Sequence, residues 1–147
     1  MYFYFGEYSM TTPSTPMQIL SVQTTSSTLQ NGTTFAPIAG LQLTLPEGET
    51  SQHALMILNV PNPWALGDDY PGGQFGIVVD GVQQKPYATF TYEGQAPQPP
   101  GCPRVPTTLV VTVPLKQQAQ VVKAYWAAIR NGTVNLDTPA TLSAIII

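Results

Sequence analysis

Val122, Ala124, Trp126 and Ala128 fall on every second position of one run, the period of a strand with a single buried face. Elsewhere β-branched and aromatic residues come in short runs bounded by Gly, Pro, Asn and Asp about every ten residues, which is the cadence of a sandwich or barrel. The pattern predicts strands over 17–23, 34–45, 53–60, 74–79, 87–92, 107–115, 119–130, 133–136 and 141–147. Local propensity would also allow a helix over 121–130, where three alanines occur, but the alternation and the Asn-Gly pair that follows favour a strand. Asp80-Gly81 and Asn131-Gly132 both read as type I′ hairpin turns, because Asp, Asn and Gly tolerate the positive φ that both central positions need. Between 93 and 106, five prolines remove ladder donors and predict a long stiff loop. Residues 1–16 read as an N-terminal arm, leaving 17–147 as one domain.

Charge is scarce. Only 9% of the 147 residues are charged and the net charge is −3, yet hydrophobic content is an ordinary 43%, so uncharged Thr, Gln, Ser and Pro carry the polarity. Such a chain folds, and it has too few cations to be a nucleic-acid binder: three Lys and two Arg cannot neutralise the roughly six to ten phosphates a duplex binder contacts. No apolar run approaches the roughly 18 residues of a membrane span, so no membrane insertion is expected. The apolar opening, Met1 to Gly6, has no preceding basic residue and is followed by Glu7, unlike a Sec signal. The expectation is therefore a cytoplasmic protein, or one released by a non-Sec route, with Met1 and Met10 both open as the start.

Catalytic chemistry finds little to work with. His53 is the lone histidine and Cys102 the lone cysteine; a Cys102/His53 pair lacks an orienting third group, and neither metal nor cofactor is expected. Glu47, Glu49, Asp68 and Asp69 read as turn acids rather than a glycosidase pair, and Asp68, Asp69 and Asp80 lack the spacing of a calcium loop. Asn31-Gly-Thr33 and Asn131-Gly-Thr133 match the glycosylation acceptor pattern and read as turns. What remains is two arginines in a chain that uses almost none, together with Trp64, Tyr70, Tyr92 and a Thr-rich surface. Aromatic faces for C–H groups and fixed donors for hydroxyls are what a neutral polyol site requires.

Leu58-Asn-Val-Pro-Asn-Pro-Trp64, Tyr70-Pro-Gly72, Phe75, Ile77, Phe90-Thr-Tyr92, Pro106-Thr-Thr-Leu-Val110, Val122-Lys123, Trp126, Arg130, Asp137 and Leu142-Ser-Ala-Ile145 occur in this order over roughly 17–146. In that series the chain resembles the TNF-like fucose-binding domain at the N-terminus of two-domain bacterial superlectins. The resemblance implies an all-β, TNF-like jelly-roll sandwich assembled as a homotrimer. It also implies a metal-free lectin that binds fucosylated oligosaccharides in clefts between protomers. Carried over by position, the carbohydrate-binding residues are Trp64 (replacing a tyrosine), Gln74 (replacing a second tyrosine), Thr91, Tyr92, Arg104 and Arg130. The family's Ser-Thr pair before the first arginine has no counterpart, since this chain is two residues longer there and reads Pro100-Gly-Cys-Pro103. Independently of the resemblance, the apolar end, Leu142 to Ile147, suits a strand covered on both faces, as near a trimer axis. Two rivals stand beside a lectin: a TNF-like structural or protein-binding trimer without sugar binding, and a small hydrolase.

Overall fold

The computed structural model describes residues 17–25, 28–93, 102–137 and 139–147. Its elements are all strands: β1 (Gln18–Gln23), β2 (Thr28–Asn31), β3 (Ala36–Leu45), β4 (His53–Val60), β5 (Pro63–Leu66), β6 (Gly72–Val79), β7 (Val82–Gln83), β8 (Ala88–Thr91), β9 (Thr107–Pro114), β10 (Gln120–Ile129), β11 (Thr133–Leu136) and β12 (Thr141–Ile146). Every pairing is antiparallel. One sheet runs β1-β12-β4-β9; a second runs β3-β10-β6-β7, with β8 also paired to β6; a third, smaller sheet runs β2-β11-β5. The two larger sheets form a sandwich, so the all-β expectation is met.

The period-2 pattern explains the core. Ala54, Met56, Leu58 and Val60 of β4, Leu109, Val111 and Val113 of β9, and Leu142, Ala144 and Ile146 of β12 are buried from one sheet. From the other come Val122, Ala124, Trp126 and Ala128 of β10 with Phe75, Ile77 and Val79 of β6. The inward set of β3 changes parity between Ile38 and Leu41, where the register against β10 slips and Gly40 takes a φ of 82°. A bulge with a left-handed glycine is how a strand gains the extra residues without turning its core side chains outward.

The two expected hairpins part company. Asp80 and Gly81 have φ of 50° and 80° and join Val79 to Val82 across a tight turn, as a type I′ loop does. Asn131-Gly132 does not make a hairpin: β10 pairs with β3 and β6, whereas β11 pairs with β2 and β5. The positive φ there belongs to Arg130, at 57°. Gly132 is needed for space instead, since a Cβ on it would stand 2.6 Å from the Leu66 carbonyl oxygen. Three strands went unforeseen: β2, β5 and β7. The arm at 1–16 and most of the proline loop, 94–101, lie outside the described residues.

The C-terminal strand β12 sits between β1 and β4, with Leu142, Ala144 and Ile146 inward and Thr141, Ser143 and Ile145 half-exposed on the outside. Within one chain it is thus covered on one face only, not on two. The outward positions around it are Ile19 and Ser21 of β1, Leu55 and Ile57 of β4, and Val110 and Thr112 of β9, and no charged side chain is among them. Ile19 is 61% exposed and Val110 50%.

Candidate functional site

β5 opens on Pro63, which can start an edge strand because its missing N–H faces away from the ladder. Trp64 follows, half-buried and opposite Asn135 of β11. Its indole Nε1–H donates to Asp137 Oδ1 at 2.6 Å, just beyond the end of β11. The other carboxylate oxygen of Asp137 pairs with Arg104 Nη2. Arg104 Nη1 also donates to the Cys102 carbonyl at 2.8 Å, and its guanidinium lies over the Trp64 ring, 4.8 Å from the centroid. Indole, carboxylate and guanidinium thus fix one another: the carboxylate takes one donor from each, and the cation covers the ring's electron-rich face.

Tyr92 anchors the segment that carries Arg104. Its side chain is 9% exposed, with the ring tilted against Phe90 at 5.7 Å. The hydroxyl accepts the Ala65 N–H at 3.1 Å and donates to the Pro103 carbonyl at 2.7 Å, while Val105 N–H donates to the Pro63 carbonyl at 3.1 Å. Burial pushes the Tyr92 hydroxyl above its ordinary pKa, partly opposed by the Ala65 N–H. The folded chain therefore holds this proton more tightly than the unfolded one. The resulting stability is complete below pH 10 and declines as pH rises through the folded value. Tyr92→Phe strands a buried N–H and a carbonyl, so urea denaturation should show a loss of about 1–3 kcal/mol at neutral pH. The same variant should lose less stability than the parent between neutral pH and pH 11.

Arg130 stands elsewhere. It follows the last residue of β10, and its Nη1 donates to the Tyr70 carbonyl at 2.7 Å while its Nε faces Asp69 Oδ2 at 3.4 Å. Its guanidinium lies 5.1 Å from the centroid of the Tyr70 ring. Tyr70, like Arg130, has a left-handed backbone, with φ of 44°. Beside this group is a depression of about 270 Å³ lined by Gly67, Asp68, Asp69, Arg130, Asn131 and Gly132.

The structure therefore brings together Trp64, Tyr92 and Arg104 and keeps Arg130 apart from them. β11 separates the two groups: Leu136 pairs with Pro63 at the Arg104 end and Thr133 with Leu66 at the Arg130 end. That ladder alone spans roughly 10 Å at about 3.3 Å per residue. Thr91 is exposed on β8 opposite Gly72, and half-buried Gln74 on β6 lies between Thr89 and Ala127; neither belongs to an arginine group. Tyr70, one of the aromatic residues named with the arginines, does meet Arg130, but two contributors were not given a binding role from the sequence: Asp137, which entered only within the resembling series, and Asp69, read as a turn acid. What sets them apart is scarcity, since eight acids and two arginines make each arginine–carboxylate pair a large share of the charge.

The hydrolase alternative finds no geometry. His53 opens β4 opposite Pro114, whereas Val60 meets Thr107 at the end that leads back to Cys102, so the full β4–β9 ladder, roughly 23 Å long, intervenes. Asp80 is likewise remote in function from Asp68 and Asp69, being bonded to Lys116 Nζ at 3.1 Å and to the Val121 N–H at 2.9 Å. Among the described residues no group of three or more His, Cys, Asp or Glu is gathered as a metal site would be.

A family model described as Bc2l-C, N-terminal domain, matches residues 20–145. No curated protein matches the chain.

Proposed function

The chain belongs to the Bc2l-C N-terminal domain family, a fucose-binding, TNF-like and non-enzymatic lectin domain type, and from that premise we propose that it is a lectin for fucosylated oligosaccharides. In this reading residues 17–147 are the lectin domain and 1–16 an arm, and three copies form a jelly-roll homotrimer with a sugar cleft at each junction. Each cleft joins the Arg104 group of one protomer to the Arg130 group of the next, with Trp64, Gln74, Thr91 and Tyr92 completing the wall.

One observation carries the reading: the two arginines sit at opposite ends of a small sheet, each already oriented by its own carboxylate and ring. Each is half of a polyol site, with fixed charged donors for hydroxyls beside an aromatic surface for C–H groups. The charge-free outer face of β1-β12-β4-β9 supports the assembly, because a dry interface favours aliphatic side chains without ions to desolvate. The strand orders β1-β12-β4-β9 and β3-β10-β6, with β8 beyond β6, suit a jelly-roll winding.

Complementation tests it. Arg104→Ala and Arg130→Ala homotrimers should each bind a fucosylated oligosaccharide roughly 10-fold to 150-fold more weakly, since a charged hydrogen bond is worth about 1.5–3 kcal/mol. In a cyclic trimer mixed from the two variants, one junction joins an intact Arg104 to an intact Arg130. Titration of mixed trimers should therefore recover one parental-affinity site per trimer. Absence of that site overturns the shared cleft. The competing reading, a TNF-like trimer without sugar, draws on the internal pairing of both arginines; it requires that the parent trimer bind no fucoside on an array.

A further inference from the structure

The outer faces of the two large sheets differ in chemistry. On β1-β12-β4-β9 the outward side chains are mostly aliphatic or small and polar, and the one ring among the described residues is the His53 imidazole at the start of β4. On the other sheet, rings gather. Phe35 and Tyr125 stack with centroids 6.5 Å apart and planes 13° from parallel, and Tyr87 tilts against Phe35 at 5.9 Å. Gly76, opposite Tyr125 in the ladder, makes the hollow in which this cluster rests: a Cβ there would meet Phe35 Cε1 at 2.9 Å and Gln83 Nε2 at 3.3 Å. Tyr87 is 40% exposed, and Phe35 and Tyr125 are half-buried, so the cluster is a surface and not part of the core. Next to Tyr125 a depression of about 300 Å³ opens, lined also by Val78, Asp80, Gly81, Val121 and Lys123.

We infer that this aromatic face is a second glycan site, taking a neutral oligosaccharide chain and working independently of the arginine clefts. Ring faces match the C–H faces of pyranoses, and amides both donate and accept, as hydroxyls do. Exposed Gln42, paired with Lys123 in the ladder, and Gln83, paired with Val78, border the rings with such amides. The electrostatics suit an uncharged ligand. Asp80 at the rim already holds Lys116 and the Val121 N–H, which leaves Lys123 as the single charge among the outward residues of β3, β6 and β10. A protein copy, by contrast, is matched by the aliphatic face opposite. A nucleic acid would need cations that this face lacks.

The probes are three fucose-free neutral hexasaccharides, of β-1,4-glucose, mannose and xylose, titrated calorimetrically into the full chain. At least one should bind with one site per chain. Tyr87→Ala and Tyr125→Ala should each weaken it about 10-fold, the scale of a lost stacking ring with its buried area. Fucoside binding by the same variants should stay at the parental level, and Arg104→Ala should leave hexasaccharide binding unchanged. Tyr87 is the exposed ring, so its variant keeps the test valid if Tyr125→Ala unfolds. Failure of all three sugars to bind, binding indifferent to Tyr87→Ala, or binding lost with Arg104→Ala would each overturn the inference; the last would put the chain in the arginine cleft.

Discussion

Ile145→Glu is expected to turn the proposed trimer into monomers and to abolish the proposed fucoside binding in the same step. Ile145 points outward from the central strand β12, paired with Ile19 on one side and Leu55 on the other. Neither of these paired neighbours carries a charge that could pair with a carboxylate. A buried, unpaired carboxylate costs several kcal/mol, and a closed trimer would bury three. Within the monomer the same carboxylate faces water, so the fold should survive. Light scattering should then report the 15.8 kDa chain instead of three times that mass. Ile145→Val removes one methylene and should leave both assembly and binding near the parental level. A glutamate variant that remains a trimer would move the interface to another surface, and the shared clefts with it.

Gly72→Ala should cost on the order of 3 kcal/mol or more of folding stability, the upper range for overpacking. A Cβ at this position would lie 2.0 Å from the Phe90 carbonyl oxygen and 2.9 Å from Thr91 Cα, both backbone atoms of β8. No rotamer relieves a backbone clash, so β8 would have to leave β6. That separation breaks the Gly72–Thr91 and Gly73–Phe90 pairs and strains the Tyr92 N–H bond to the Pro71 carbonyl. The damage would reach Tyr92, which holds the Arg104 segment. Urea denaturation monitored by tryptophan fluorescence measures it; a loss below about 0.5 kcal/mol would mean that β8 shifts freely and does not hold Tyr92 in place.

How much of this was legible in the sequence depended on range. Alternation placed Val122, Ala124, Trp126 and Ala128 inward because side-chain period is a property of the strand itself. The Asp80-Gly81 turn was legible for the same reason: its two φ values are decided within four residues. Asn131-Gly132 carries an equally strong local signal, but there the chain leaves one sheet for another, and tertiary connection overrides turn chemistry. β5 was hidden because it is four residues long and opens on Pro63, whose position at the start of an edge strand no local rule reveals. For the site, two arginines stood out by rarity, and the resemblance proposed their role. Their carboxylates did not stand out, because Asp137 reaches Arg104 from 33 positions away and Asp69 reaches Arg130 from 61, joined only by the sheet that forms between them.

Arg130 and Tyr70 both hold left-handed backbone, a conformation that aspartate tolerates at Asp80 but that costs a long or bulky side chain roughly 1–2 kcal/mol. Glycine would relieve that cost at either position. A library of this chain sorted only for heat resistance should therefore enrich Arg130→Gly and Tyr70→Gly, and its winners would be robust proteins stripped of one half of each proposed cleft. On the proposed reading, durability and recognition are set against each other at the same two residues.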